Sequence, residues 1–157
     1  MMVADLLALA IEKGLMITCA ESCTGGMVAA ALTDVPGSSA MMDRGFVTYT
    51  NAAKVEMLGV SQSTLDAHGA VSEQVAEQMA RGALARSEAQ LAVSITGIAG
   101  PGGSEFKPEG RVCFGLASKD QVLVETVEFG ALGRDAVRVA ARDHALTMLM
   151  HQMKSLP

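Results

Sequence analysis

The hydrophobic positions of this 157-residue chain recur at helical spacing in some segments and form short continuous runs in others. Helical spacing predicts helices at 3–13, 27–32, 51–58, 72–86 and 134–150. Asn51 and Ser72 are the predicted caps of the third and fourth of these helices. Short apolar runs beside turn residues predict strands at 15–20, 45–50, 91–96, 112–118 and 122–129. The last two strands flank a turn at Lys119 and Asp120, so we expect an antiparallel hairpin there.

Helices that alternate with buried strands are typical of an α/β fold. With one antiparallel hairpin added, the pattern predicts a three-layer α/β/α sandwich whose central sheet is mixed. No linker, repeat or low-complexity tract interrupts the sequence, and its length suits one hydrophobic core. We therefore expect a single domain that spans residues 1–157.

Composition and charge argue against a nucleic-acid partner. Aromatic residues make up only 3% of the chain, and 12 Lys+Arg against 17 Asp+Glu give a net charge of −5. Side chains that stack on bases are therefore scarce, and the overall charge repels a phosphate backbone. We expect the chain to bind no nucleic acid.

Membrane and secretion signals are also missing from the sequence. The longest uncharged run, residues 89–104, contains glycines and a proline that would break a spanning helix, and the N-terminal segment is unlike a signal peptide. The three cysteines have no metal-binding spacing and indicate reduced thiols. We therefore expect a cytoplasmic protein with no membrane partner. We also expect a homo-oligomer, because half of the residues in this small domain are apolar.

The first segment with candidate chemistry is residues 21–26, which lead from a strand into a helix. Backbone N–H groups at a glycine turn before a helix suit an anion, and the hydroxyls of Ser22 and Thr24 would add donors. The segment lacks the spacing of a phosphate-binding P-loop, so an ordinary helix start is the alternative. Cys23 is a lesser candidate as a nucleophile, because no histidine is placed to activate it.

The second candidate is the set Ser39, Tyr49 and Lys54. A serine hydroxyl becomes nucleophilic when a neighbouring base takes its proton, and a lysine can be that base if its surroundings lower its pKa. Serine–lysine pairs are a known variant of the catalytic triad. Spacing alone favours the alternative, in which these are a loop serine, a strand-end tyrosine and a solvated lysine.

Two further segments suit an anionic ligand. The Gly/Pro loop, residues 97–104, follows a buried strand, where open α/β sheets bind ligands, although it could also be a simple crossover. Arg134, Arg138 and Arg142 recur every four residues on the last helix and would either meet an anion or form a solvated, salt-bridged face. His144 and His151 lack a third ligand at metal spacing, so we expect no metal and no cofactor.

Together these segments resemble the CinA C-terminal domain family, over nearly the whole chain. The matching stretches are residues 20–26, 35–40, 45–51, Lys54, 58–60, 68–72 and 96–101. Full-length members carry a preceding domain that this sequence does not include. The resemblance implies an α/β sandwich and an amidohydrolase with a Ser/Lys mechanism, and no metal. Stand-alone members convert nicotinamide mononucleotide (NMN) and water to nicotinate mononucleotide and ammonia.

The resemblance also implies roles for individual residues. Ser39 would be the nucleophile, with Ser22 as the alternative, Lys54 the base, and Tyr49 an orienting or proton-relaying group. Ser22 and Thr96 would hold the amide oxygen or the substrate, and Arg134 or Arg138 would meet the nucleotide phosphate. The remaining substrate-binding residues would be Glu21, Thr24, Gly25, Gly26, Gly97 and Gly100.

This chain departs from the family pattern beside the Gly/Pro loop. The loop is one residue short, and Arg111 and Cys113 stand where the family reads Thr and Trp. One alternative function is a nucleotide-binding module without hydrolysis, since glycine loops and arginines need only an anion. The other is an interaction domain linked to competence or DNA damage, which the family name alone suggests.

Overall fold

The computed structural model describes residues 2–104 and 106–157, which form five strands and six α-helices. In chain order these are α1 (Met2–Lys13), β1 (Ile17–Glu21), α2 (Met27–Leu32), β2 (Met42–Val47), α3 (Asn51–Leu58), α4 (Gln62–His68), α5 (Glu73–Ala85), β3 (Leu91–Gly97), β4 (Arg111–Ala117), β5 (Val122–Glu128) and α6 (Arg134–Ser155). One turn of 3₁₀ helix, Ser38–Ala40, precedes β2. In this described part of the chain, no helix has both the length and the apolar character needed to cross a membrane.

The strands form one mixed sheet in the order β2-β1-β3-β4-β5. Strands β2, β1 and β3 are parallel, while β3, β4 and β5 are antiparallel neighbours. The mixed sheet and the C-terminal hairpin are therefore confirmed. Because β1, β2 and β3 run in the same direction, the segments that follow them meet at one edge of the sheet.

Helices cover both faces of the sheet, which confirms the three-layer sandwich. On one face, α1, α2 and α6 pack on large apolar strand residues such as Ile17, Val93 and Phe114. On the other face, α3, α4 and α5 pack on small residues such as Ala20 and Ala92.

Helix α5 lies unusually close to the sheet because of these small residues. Ser94 Oγ donates to the Ala76 carbonyl at 2.6 Å, and a Cβ added to Gly115 would lie 2.5 Å from the same oxygen. The close packing fixes the beginning of α5 beside the end of β3.

Three local predictions differ from the structure. Strand β2 spans 42–47 rather than 45–50, because the first half of this half-exposed outer strand contains the polar residues Asp43 and Arg44, of which Arg44 pairs with Thr18 of β1. Thr50 rather than Asn51 caps α3, since its Oγ1 accepts from Ala53 N. Helix α4 was not predicted, because it buries little beyond Leu65 and so lacks an apolar pattern. The Ser72 cap of α5 is confirmed.

Candidate active site

A cleft of about 330 Å³ opens at the edge of the sheet where β1, β2 and β3 end. Its walls come from the ends of β1 and β3, the β2–α3 junction, the segment before α5, and the first residue of α6. This is the position at which open α/β sheets bind ligands. The lining residues are Ser22, Cys23, Tyr49, Asn51, Lys54, Ala70, Val71, 96–104 and Arg134.

A serine and a lysine are in contact at the buried side of this cleft. Lys54 Nζ donates to Ser22 Oγ at 3.0 Å. Ser22 is 8% exposed and Lys54 only 1%. The Ser22 N–H donates to the Ile95 carbonyl at 2.9 Å, which keeps the serine next to β3 just beyond the end of β1. The hydroxyl therefore has a fixed position with a potential base beside it.

The lysine is held by the chain segment that precedes its own helix. Its Nζ also donates to the carbonyls of Thr48 and Tyr49 at 3.1 and 3.2 Å. These oxygens favour the ammonium form, whereas burial disfavours it. In the neutral form the same nitrogen has a lone pair that can accept a proton from Ser22. The contact thus has the geometry of a nucleophile and its base.

Ser39 does not lie in this cleft. It is exposed on the 3₁₀ turn that precedes β2, and the turn packs near α1, where a Cβ on Gly37 would contact Leu7. Ile17, at the beginning of β1, pairs with Met42, so Ser39 sits at the opposite edge of the sheet from Ser22. The length of β1 alone separates the two edges by roughly 13 Å. The structure therefore pairs Lys54 with Ser22 and not with Ser39.

Glu21 caps a helix and does not line the cleft. Its carboxylate is fully buried and accepts from the backbone N–H groups of Gly26, Val28 and Ala29 at 2.9–3.2 Å. The Glu21 carboxylate therefore occupies the position at the start of α2 where the sequence suggested a bound anion. Thr24, Gly25 and Gly26 build the same turn and are likewise absent from the cleft walls described above. Substrate contacts for these four residues are not supported by their positions.

The Gly/Pro loop forms a further part of the cleft wall. Gly97 and Gly100 line the cleft, and a Cβ on Gly97 would lie 2.7 Å from Val112 Cγ2 on β4. Thr96 also lines the cleft, but its hydroxyl donates to the Ala70 carbonyl at 2.9 Å. Thr96 therefore fixes the segment before α5.

The three arginines of α6 have different environments. Arg134 lines the cleft, donating to the Gly100 carbonyl and to Tyr49 Oη, each at 2.7 Å. Arg138 donates to the Cys23 carbonyl at 3.0 Å and so holds the turn after β1. Arg142 forms a surface ion pair with Asp143. Of the three, only Arg134 is placed to meet a ligand.

Tyr49 lies at the rim of the cleft, with 55% of its surface exposed. Its carbonyl accepts from Lys54, while its hydroxyl accepts from Arg134. The predicted convergence of Tyr49 and Lys54 therefore occurs through the tyrosine backbone, and the ring contacts the arginine.

The cleft is locally basic in an acidic protein. Lys54 and Arg134 are its charged side chains, and no described lining residue is an aspartate or glutamate. Cys23, beside Ser22, is not an alternative nucleophile at neutral pH, because burial raises the pKa of its thiol to about 12. The described walls thus offer a hydroxyl nucleophile and positive charge for an anionic ligand.

Several residues of the site were not singled out from the sequence. Asn51, Ala70 and Val71 line the cleft. They belong to segments that carry the family resemblance, and this resemblance was the one sequence feature that could have indicated them. Lys107 donates to the carbonyls of His68 and Val71 at 2.6 and 2.5 Å and supports the same wall from outside. No spacing rule could identify Lys107, because its partners are backbone atoms distant in sequence.

Comparison with known proteins gives consistent results. Residues 1–153 match the CinA C-terminal domain family. A protein of Enterobacter agglomerans named nicotinamide-nucleotide amidohydrolase PncC is 56% identical over 142 residues, which are 89% of this chain and 86% of the relative. The Escherichia coli K12 protein of that name is 52% identical over 141 residues, with the same coverages. A crystal structure of a CinA superfamily protein from Klebsiella pneumoniae superposes with a TM-score of 0.94 at 34% identity, covering 99% of this chain and 97% of that one.

Proposed function

The chain belongs to the CinA C-terminal domain family, and we propose that it hydrolyses the carboxamide of NMN to nicotinate mononucleotide and ammonia. The names of its relatives support this substrate and reaction. The observation that carries the proposal is the 3.0 Å contact between Lys54 Nζ and Ser22 Oγ in the cleft. Because Ser39 lies at the other edge of the sheet, the proposal assigns the nucleophile to Ser22.

In the first half of the reaction, Ser22 Oγ attacks the carboxamide carbon. Neutral Lys54 takes the hydroxyl proton as the C–O bond forms, and the carbonyl electrons move onto oxygen. Lys54 then gives that proton to the amide nitrogen, the C–N bond breaks, and ammonia leaves. The products of this half are an ester between Ser22 and the nicotinate carbonyl, and ammonia.

In the second half, water replaces ammonia. Lys54 takes a proton from the water, whose oxygen attacks the ester carbon, and then returns the proton to Ser22 Oγ as the ester bond breaks. Nicotinate mononucleotide forms as the carboxylic acid, which releases its remaining proton to solvent to become the carboxylate, and Ser22 is restored. One lysine thus acts as base and acid in alternation, and the cycle requires no group outside the chain apart from water.

Other parts of the cleft bind and orient the substrate in this proposal. Backbone N–H groups of the Gly/Pro loop are the candidate donors to the developing oxyanion, because glycine lets the backbone approach closely. Arg134 meets the phosphate, since it is the arginine among the described cleft residues. Tyr49 orients that guanidinium through its hydroxyl. Arg138 stabilises the turn after β1, which contains Ser22, by donating to the Cys23 carbonyl.

The direct test incubates the purified chain with NMN in the presence of a chelator and measures both products. We expect stoichiometric ammonia and nicotinate mononucleotide, by a coupled assay and mass spectrometry. The matched control is Lys54→Met, which keeps the length of the side chain but removes the base. Binding of NMN without release of ammonia would contradict hydrolysis and favour the nucleotide-binding alternative.

We also propose that the chain acts in the cytoplasm as a homo-oligomer. Large apolar side chains are exposed at both outer strands, Val47 on β2 and Leu123 on β5, and self-association would cover them. Light scattering of the purified chain measures this directly, and a monomeric mass at micromolar concentration would contradict it.

A further inference from the structure

The carboxylate of Glu109 joins two segments that are far apart in the chain. Its Oε1 accepts from the Gly102 N–H at 2.7 Å, and its Oε2 accepts from the Gly133 N–H at 3.0 Å. Gly102 belongs to the Gly/Pro loop, and Gly133 is the residue before α6. Glu109 thus connects one wall of the cleft to the beginning of the helix that carries Arg134.

The surrounding backbone is packed closely enough to keep this bridge in place. Gly110 crosses Gly130 so tightly that a Cβ on Gly110 would lie 2.0 Å from the Gly130 carbonyl oxygen. A Cβ on Gly100 would lie 2.6 Å from the carboxyl carbon of Glu109. The Phe129 N–H donates to the Gly110 carbonyl at 2.8 Å. The segment before α6 is therefore held against the residues that carry the carboxylate.

Both partners of Glu109 are close neighbours of groups that determine the position of Arg134. Gly133 directly precedes Arg134, and Gly102 lies two residues after Gly100, whose carbonyl accepts from the Arg134 guanidinium. Glu109 itself is outside the described cleft wall, so its contacts with these neighbours are its structural connection to a bound ligand. Two carboxylate oxygens match two N–H donors, which a neutral amide or an apolar side chain cannot do.

We propose that Glu109 is a positioning residue that sets the Arg134 guanidinium for the phosphate of the substrate. This inference rests on the proposed function, since it takes NMN as the ligand and Arg134 as its phosphate contact. Removing the carboxylate releases both the Gly/Pro loop and the beginning of α6. The guanidinium then loses its fixed position, while Ser22, just after β1, and Lys54 on α3 keep their own contacts.

The test compares Glu109→Ala and Glu109→Gln with the unaltered chain, using kinetics with NMN and competitive inhibition by inorganic phosphate. For Glu109→Ala we expect KM for NMN and Ki for phosphate to rise together by about tenfold, with kcat within about twofold, because only the binding geometry is lost. Glu109→Gln keeps one acceptor oxygen, so its KM and Ki should lie between those of Glu109→Ala and the unaltered chain. Glu128→Ala removes a neighbouring exposed carboxylate paired with Arg111 and should leave all three constants unchanged.

Two further measurements separate positioning from general structural support. Glu109→Ala should have little additional effect on KM in an Arg134→Ala background, since both changes remove the same contact. Amide hydrogen exchange at Gly102 and Gly133 should accelerate in Glu109→Ala. Additive effects on KM, or a fall in kcat without a change in KM and Ki, would overturn the inference. An unaltered chain that binds NMN but releases no ammonia would instead reject the proposed function.

Discussion

Ser22 and Lys54 are 32 residues apart in the chain, yet Lys54 Nζ lies 3.0 Å from Ser22 Oγ. The serine follows β1, and the lysine lies on α3 after the neighbouring strand β2. Parallel pairing of β1 with β2 brings these two segments to the same edge of the sheet. The catalytic pair that we propose is therefore a product of strand order, not of local sequence.

The lysine should be essential, and its protonation should control the rate. We expect Lys54→Met to lower kcat by about a thousandfold, because general base catalysis by the side chain is lost. In the unaltered chain, kcat/KM should fall as the pH decreases, since the ammonium form cannot accept the Ser22 proton. Initial rates across a pH series measure this. A flat acid limb would argue against a lysine base.

The neighbouring thiol should be dispensable. Burial raises the pKa of Cys23 to about 12, so the nucleophilic thiolate is nearly absent at neutral pH and increases only as the pH approaches that value. We expect Cys23→Ala to keep kcat within about threefold, a loss attributable to packing. Iodoacetamide should alkylate Cys23 slowly at pH 7 and progressively faster at higher pH. Rapid inactivation at pH 7 with modification at Cys23 would contradict this interpretation.

The buried carboxylate of Glu21 should matter for stability. Glu21→Ala leaves three N–H groups of the α2 turn, one buried and two partly buried, without their acceptor, so we expect a loss of about 3 kcal/mol in the free energy of unfolding. Urea denaturation measures the change. Glu77→Ala is the matched control, because Glu77 forms an exposed helical ion pair with Arg81 worth about 0.5 kcal/mol or less. Equal stability of the two variants would contradict the capping role.

The arginines of α6 should differ in their contribution to substrate binding. Arg134→Ala should raise KM for NMN by about tenfold or more, because a charge-assisted contact to the phosphate is lost. Arg142→Ala, two turns further along the same helix, should leave KM unchanged, since Arg142 pairs with Asp143 at the surface. Steady-state kinetics on both variants make the comparison. A similar KM for the two would reject the phosphate contact.

The architecture was largely predictable from the sequence because hydrophobic patterning decides it. Buried strands such as Leu91–Gly97 consist mainly of apolar residues, and the predicted three-layer sandwich is confirmed. The prediction placed β2 too late in the chain, because the first half of this outer, half-exposed strand contains the polar residues Asp43 and Arg44. Helix α4 was missed because seven residues with one buried leucine carry no periodic signal.

The site was predictable as a set of segments but not as a set of contacts. Residues 22, 49, 54, 96, 97, 100 and 134 all line one cleft, as their motifs indicated. The sequence does not reveal which serine contacts Lys54, because either one could approach the lysine. The strands distinguish them, since Ser22 follows β1 whereas Ser39 precedes β2 and so lies at the other edge of the sheet. The cap formed by Glu21 and the bridge formed by Glu109 depend on backbone N–H groups, which sequence patterns do not reveal.

The central claim is that Ser22, and not Ser39, attacks the carboxamide. The most direct measurement is the rate of ammonia release from NMN by Ser22→Ala and Ser39→Ala, two identical chemical changes at opposite edges of the sheet. We predict that Ser22→Ala loses about three to four orders of magnitude in kcat, because the nucleophile is gone. Ser39→Ala should stay within about twofold of the unaltered chain, because its side chain is exposed and outside the cleft. Loss of activity in Ser39→Ala with retention in Ser22→Ala would contradict the account.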